Sequence, residues 1–82
     1  LLNIHPNPTQ QKVSIDYYVP QASHSAKLRI SNALGQNISE FRLTKKGKQT
    51  ITFNVKDMPT GIYFCTLSVD GHRTTARRMI VQ

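Results

Sequence analysis

Four acids, three histidines and one cysteine are the side chains of this sequence with the reactivity for catalysis or metal binding, and their spacing limits what they can do. Hydrolysis by paired carboxylates needs two acids converging on one bond. Asp16, Glu40, Asp57 and Asp70 instead fall in separate predicted strands and turns. His5, His24 and His72 show none of the i, i+2 or i, i+4 spacings that put two ligands on one metal. Cys65 has no second cysteine to pair with, and its place in the most apolar run reads as a buried, inert thiol. The glycines at 35, 47, 61 and 71 each close a separate turn, so no phosphate cradle is formed. The sequence therefore predicts no enzyme, no cofactor and no metal site.

Charge offers a second kind of function. Eleven Lys and Arg against four acids give a net +7, which favours anionic partners such as nucleic acid or lipopolysaccharide. The basic residues are spread from Lys12 to Arg78 and sit mostly on the polar phase of strands or in loops, where solvation alone would place them. Small β-domains that bind nucleic acid carry exposed aromatics between basic residues on one sheet face. Here Tyr17, Phe41, Phe53 and Tyr63 read as core, which leaves only Tyr18 and Phe64 for stacking. No nucleic acid is expected.

The elements that position these residues are short and extended. With 82 residues, 38% of them apolar, the chain reads as one domain over 1–82, near the small end of what supports its own core. No apolar run approaches the ~18 residues of a membrane span, and no charged-then-apolar leader opens the chain. Starting without Met, it reads as a domain cut from a longer polypeptide. Leu1 to Ile4 is expected as a short edge strand, and Pro6 and Pro8 should keep the next residues out of regular structure, in a rigid, extended segment. Val13, Ile15, Tyr17 and Val19 alternate with polar residues from Lys12 to Val19, as do Ala26, Leu28 and Ile30 from Ala26 to Ser31. Gly35 closes the turn Asn32 to Gln36 with a positive φ. Between Asn37 and Leu43, Ile38 is out of phase with Phe41 and Leu43, which predicts a bulge or a change of partner near Ser39 and Glu40. Gln49 to Val55 resumes the alternation.

The stretch around which the rest is arranged runs from Asp57 to Val69. Pro59 and Gly61 form a corner that feeds an apolar strand, and Asp70-Gly71 then predicts a hairpin pairing Gly61–Val69 with His72–Val81. Tyr63, two residues before Cys65, has the placing of a tyrosine corner, with plain core filling as the other reading. Seven short strands at intervals of roughly ten residues, without helical periodicity, predict an all-β, immunoglobulin-like antiparallel β-sandwich, with a small partly open barrel second.

Four features occur in order: Ile4-His5-Pro6-Asn7-Pro8, then Ser31-Asn32-Ala33-Leu34-Gly35-Gln36, then Met58-Pro59-Thr60-Gly61-Ile62-Tyr63, then a basic-to-aliphatic ending. Together they resemble the C-terminal sorting domain (type A signal) of proteins exported by the type IX (Por) secretion system of Bacteroidota. Two features depart from what that family often shows, with His5 in place of a Tyr before Pro-Asn-Pro and Arg77 and Arg78 in place of Lys near the end.

The resemblance implies an address rather than an activity. Such domains take a passenger through the periplasm and across the outer membrane by way of a shuttle, a translocon and a sortase-like peptidase, for surface attachment or release. It marks Pro6, Asn7, Pro8, Gly35, Gly61 and Tyr63 as motif residues, and its basic-to-aliphatic ending points to Arg77, Arg78, Met79, Ile80 and Val81 as the part the machinery reads, the other reading being that they complete the sheet while Arg77 and Arg78 guard its edge. Met79 and Val81 on one phase and Ile80 on the other exceed what a single core face requires. The free edge of a last strand could also accept a partner strand, or a second copy in a homodimer. The alternative is an immunoglobulin-like spacer or adhesion module, which differs in occurring anywhere in its parent rather than only at the C-terminal end.

Overall fold

Along Lys12–Val19, Val13, Ile15, Tyr17 and Val19 are buried while Ser14, Asp16 and Tyr18 turn away, because a strand places alternate side chains on opposite faces. The computed structural model describes residues 2–82, which form seven strands. The strands are β1 (Leu2–His5), β2 (Lys12–Val19), β3 (Ala26–Asn32), β4 (Asn37–Arg42), β5 (Gly47–Asn54), β6 (Gly61–Val69) and β7 (His72–Val81), and among the described residues there is no helix. They form two antiparallel sheets, ordered β1-β2-β5 and β4-β3-β6-β7. The chain crosses between sheets after β2, β4 and β5, giving the immunoglobulin-like sandwich.

Between the sheets lie Val13 and Ile15 from one side and Leu28, Ile30, Cys65 and Met79 from the other, all fully buried. Burying a side chain of this size contributes about 1.5–3 kcal/mol. Phe41 of β4 and Phe53 of β5 meet across the sheets with ring centroids 5.5 Å apart and a 39° tilt. Their contact closes the side where both sheets end.

The corner before β6 is a tyrosine corner. Tyr63 is 5% exposed, and its hydroxyl donates to the Pro59 carbonyl at 2.5 Å. The ring fills the core and the one polar atom is paired, so both readings of Tyr63 hold. Gly61 has φ +153° and Gly35 φ +85°. Asp70 and Gly71 have φ 52° and 82°, the pair of left-handed residues that a two-residue hairpin of this twist needs. β6 and β7 then pair over the expected length, from Val69↔His72 to Gly61↔Val81.

The expected β4 bulge falls on Ile38, beside Ser39: Ile30 pairs with Ser39 and Ser31 with Asn37, so Ile38 is skipped and its out-of-phase side chain is absorbed. Two details differ from the sequence reading. A second bulge, at Thr74 between Leu67↔Thr75 and Ser68↔Arg73, has no phase break to announce it, and the Thr74 hydroxyl donates to the Leu67 carbonyl. The Pro6–Pro8 segment is bent rather than extended, with both X-Pro bonds cis, and it runs from β1 of one sheet to β7 of the other.

Candidate functional site

Residues far apart in sequence gather at one end of the sandwich. Asn32, opening the turn that contains Gly35, pairs with Tyr63, and Tyr63 pairs with Met79, making one row across β3, β6 and β7. Gly61 pairs with Val81 at the same end. Asn32 builds its turn by accepting on Oδ1 from the Leu34 and Gln36 amides at 3.0 and 2.9 Å. An asparagine at a turn start does this because its short side chain mimics a backbone carbonyl.

Pro6, Asn7 and Pro8 join this end through β7. The Asn7 side-chain amide donates to the Arg78 carbonyl at 3.0 Å, and Asn7 Oδ1 accepts from the Ile80 amide at 2.9 Å. Thr9 continues the pattern, its amide donating to the Ile80 carbonyl at 2.9 Å and its carbonyl accepting from the Gln82 amide at 2.8 Å. Thr9 is itself buried, and its hydroxyl donates to the Lys12 carbonyl. The outer edge of β7 from Arg78 to Gln82 is therefore clipped by the N-terminal segment, and the free edge expected for a partner strand or a second copy is filled there. The physical reason is that Asn carries a donor and an acceptor on one amide, so it can pair with a strand as a backbone unit would.

The five residues at the end of β7 divide by phase. Met79 and Val81 are buried in the core. Arg77 pairs with Cys65, on the core phase, yet is exposed, in a cleft of about 420 Å³ beside β1 that Ile4, Asn7 and Ile80 also line. Arg78 and Ile80 lie on the outer face, opposite Phe64 and Ile62. Ile80 is half-buried, whereas Ile62 is 44% and Phe64 39% exposed. The second apolar phase read from the sequence thus forms a patch on the sheet.

Of the reactive side chains Asp16 and His5 meet, as an exposed pair. Asp16 accepts from Thr50 Oγ1 at 2.7 Å and lies 3.0 Å from His5 Nε2. The Thr50 bond, followed by His5, holds its carboxyl below the usual carboxylate value. Asp70 accepts from the Ser25 and His24 amides, which lower its pKa in the same way and tie the β6–β7 turn to the β2–β3 loop. Burial pushes the Cys65 thiol up to about 12. Among the described residues, no group of three or more His, Cys, Asp or Glu is placed to hold a metal ion. Tyr18 and Phe64 lie on the outer faces of different sheets, so they share no stacking platform.

Comparison with protein families matches residues 3–82 to the secretion system C-terminal sorting domain. The chain belongs to this family. Among curated proteins no match to it was found. As a member of the sorting-domain family it is a sorting signal of the type IX secretion system, and the spacer or adhesion reading is not favoured. In this sorting domain Asn7, Gly61 and Tyr63 each pair with β7. Sequence reasoning missed Thr9 and the Asp70 carboxylate, because each acts on a residue far along the chain; the only hint was a polar residue capable of pairing next to a turn.

Proposed function

We propose that this sorting domain carries its parent polypeptide through the periplasm to the outer membrane by way of a shuttle, a translocon and a sortase-like peptidase. In this reading the machinery reads Arg77, Arg78, Met79, Ile80 and Val81, with the work divided by phase. Met79 and Val81 anchor the strand in the core, while Arg77, Arg78 and Ile80 present groups to a partner. The observation that carries it is the clip: Pro-Asn-Pro, the most distant motif in sequence, is bonded to the backbone of this strand. The domain works as an address and needs no reaction of its own.

Trimming Met79 to Gln82 removes two buried side chains, so it cannot separate recognition from unfolding. Substitution on the exposed phase can. The domain is fused to a neutral passenger in a host with the type IX apparatus, and Arg78→Gln and Ile80→Thr are compared with the native chain for surface display and for the melting temperature of the purified product. Loss of display with passenger in the periplasm and little change in melting supports recognition. Undiminished display refutes it.

A further inference from the structure

The basic residues that look scattered along the sequence are sorted by strand order. Lys27, Arg29, Arg42, Arg73 and Arg78 all fall on the outer face of the four-stranded sheet, through the registers Lys27↔Arg42, Lys27↔Ser68, Ser68↔Arg73, Arg29↔Thr66 and Phe64↔Arg78. Glu40 is the one acid on that face, and its carboxylate lies 4.0 Å from Lys27 Nζ. The outer face of the other sheet carries Lys12, Lys48, Asp16 and His5 among Ser, Thr and Asn, with a single exposed aromatic, Tyr18, opposite Lys48 and no aliphatic beside it. At one end of the basic face sit Ile62, Phe64 and Ile80, side by side on β6 and β7.

We infer that this face, and not the strand edge, is the docking surface, and that its occupant is a folded protein with an apolar spot beside acidic residues. The inference rests on the sorting reading and extends the recognised residues from β7 onto β6, β3 and β4. Edge addition is blocked from Arg78 to Gln82 by Asn7 and Thr9, so a partner at this end must approach the face. Five cations against one acid set the partner's charge. Its shape follows from the apolar residues, which stand on the paired strands β6 and β7 rather than on a protruding loop. Three such side chains make a smaller apolar surface than the face with which an amphipathic helix enters a membrane. One aromatic on the face does not make a base-stacking ladder. A flat apolar spot beside a charged surface is the anatomy of a protein interface.

Two double variants with equal loss of charge test this: Arg29→Gln with Arg42→Gln on the basic face, and Lys12→Gln with Lys48→Gln on the opposite one. Each is fused to a neutral passenger in a type IX host, together with Phe64→Thr. The first pair and Phe64→Thr should lower surface display at least tenfold with little change in melting temperature, and the second pair should display normally. A photo-crosslinker replacing Phe64 should couple to an identified component of the secretion machinery, and one replacing Thr52 should not. The crosslinks read the contact in the native fold even where a variant melts lower. Equal display from the two charge pairs, or no crosslink specific to position 64, overturns the inference. Native chain that fails to display its passenger at all refutes the sorting reading instead. Retention of the isolated chain by phosphatidylglycerol vesicles or single-stranded DNA at physiological salt, lost in the Arg29/Arg42 variant, would assign the face to lipid or nucleic acid and overturn the protein partner.

Discussion

Asn7 and Ile80, 73 positions apart, are joined by a 2.9 Å hydrogen bond from the Ile80 amide to Asn7 Oδ1. The same side chain reaches the Arg78 carbonyl with its other end. A single amide thus replaces a missing strand partner at the edge of β7, and the Pro-Asn-Pro segment is bonded to the last strand.

Removing that amide should loosen the edge without dissolving the core. Asn7→Ala gives up two hydrogen bonds at a solvent-exposed position, a loss of about 1–2 kcal/mol in a urea melt. Hydrogen exchange should speed up at the Ile80 amide and stay slow at Met79, which pairs inward with Tyr63. An unchanged rate at Ile80 would count against the clip.

Gly61→Val should cost about 1–3 kcal/mol, because φ +153° strains a β-branched residue. A Cβ there meets nothing within 4 Å, so the cost lies in the backbone conformation. Gly61→Ala should therefore be destabilising as well, and a melt indistinguishable from the native one for both would refute the account.

Tyr63→Phe keeps the buried ring and removes the bond to Pro59. The expected loss is about 0.5–1.5 kcal/mol, smaller than the ~3–5 kcal/mol for Tyr63→Ala, which also empties part of the core. Equal losses would mean that the ring contributes nothing.

Asp70 has its carboxyl held below the usual value by the Ser25 and His24 amides. A depressed folded-state pKa contributes stability above the unfolded value, and that stability is lost as pH falls through the folded one. Melting temperature should therefore drop as pH goes below about 4. Asp70→Asn should flatten that acid limb, and an acid limb of native steepness in the variant would exclude Asp70 as its source.

The Cys65 thiol, buried and pushed up to about 12, should resist aromatic disulfide reagents at pH 8 while the domain is folded. In denaturant it should react fully. Fast labelling of the native chain would show that β6 opens readily.

The strands were legible because each buried residue sits two positions from the next: Val13, Ile15, Tyr17 and Val19 name their own face. The Asp70-Gly71 turn and the Tyr63 corner were legible for a related reason, since each is a local geometry with a local signature. The clip was not, because Asn7 and Thr9 bond partners more than seventy positions away, and nothing in Pro-Asn-Pro-Thr states which strand it will meet. The basic face was hidden in the same way. Alternation puts Arg29 and Arg42 on the polar phase of their own strands, but only the pairing order β4-β3-β6-β7 sets them on one surface with Arg78.

The bond from Gln82 to Thr9 also governs when this domain can be finished. Closing a contact across more than seventy residues is an entropic step that comes late, after the local hairpins have formed. A chain interrupted anywhere short of Gln82 lacks the amide that Thr9 accepts, and one interrupted before Met79 also loses two core side chains. The closed edge thus ties the folding of the N-terminal segment to the synthesis of β7.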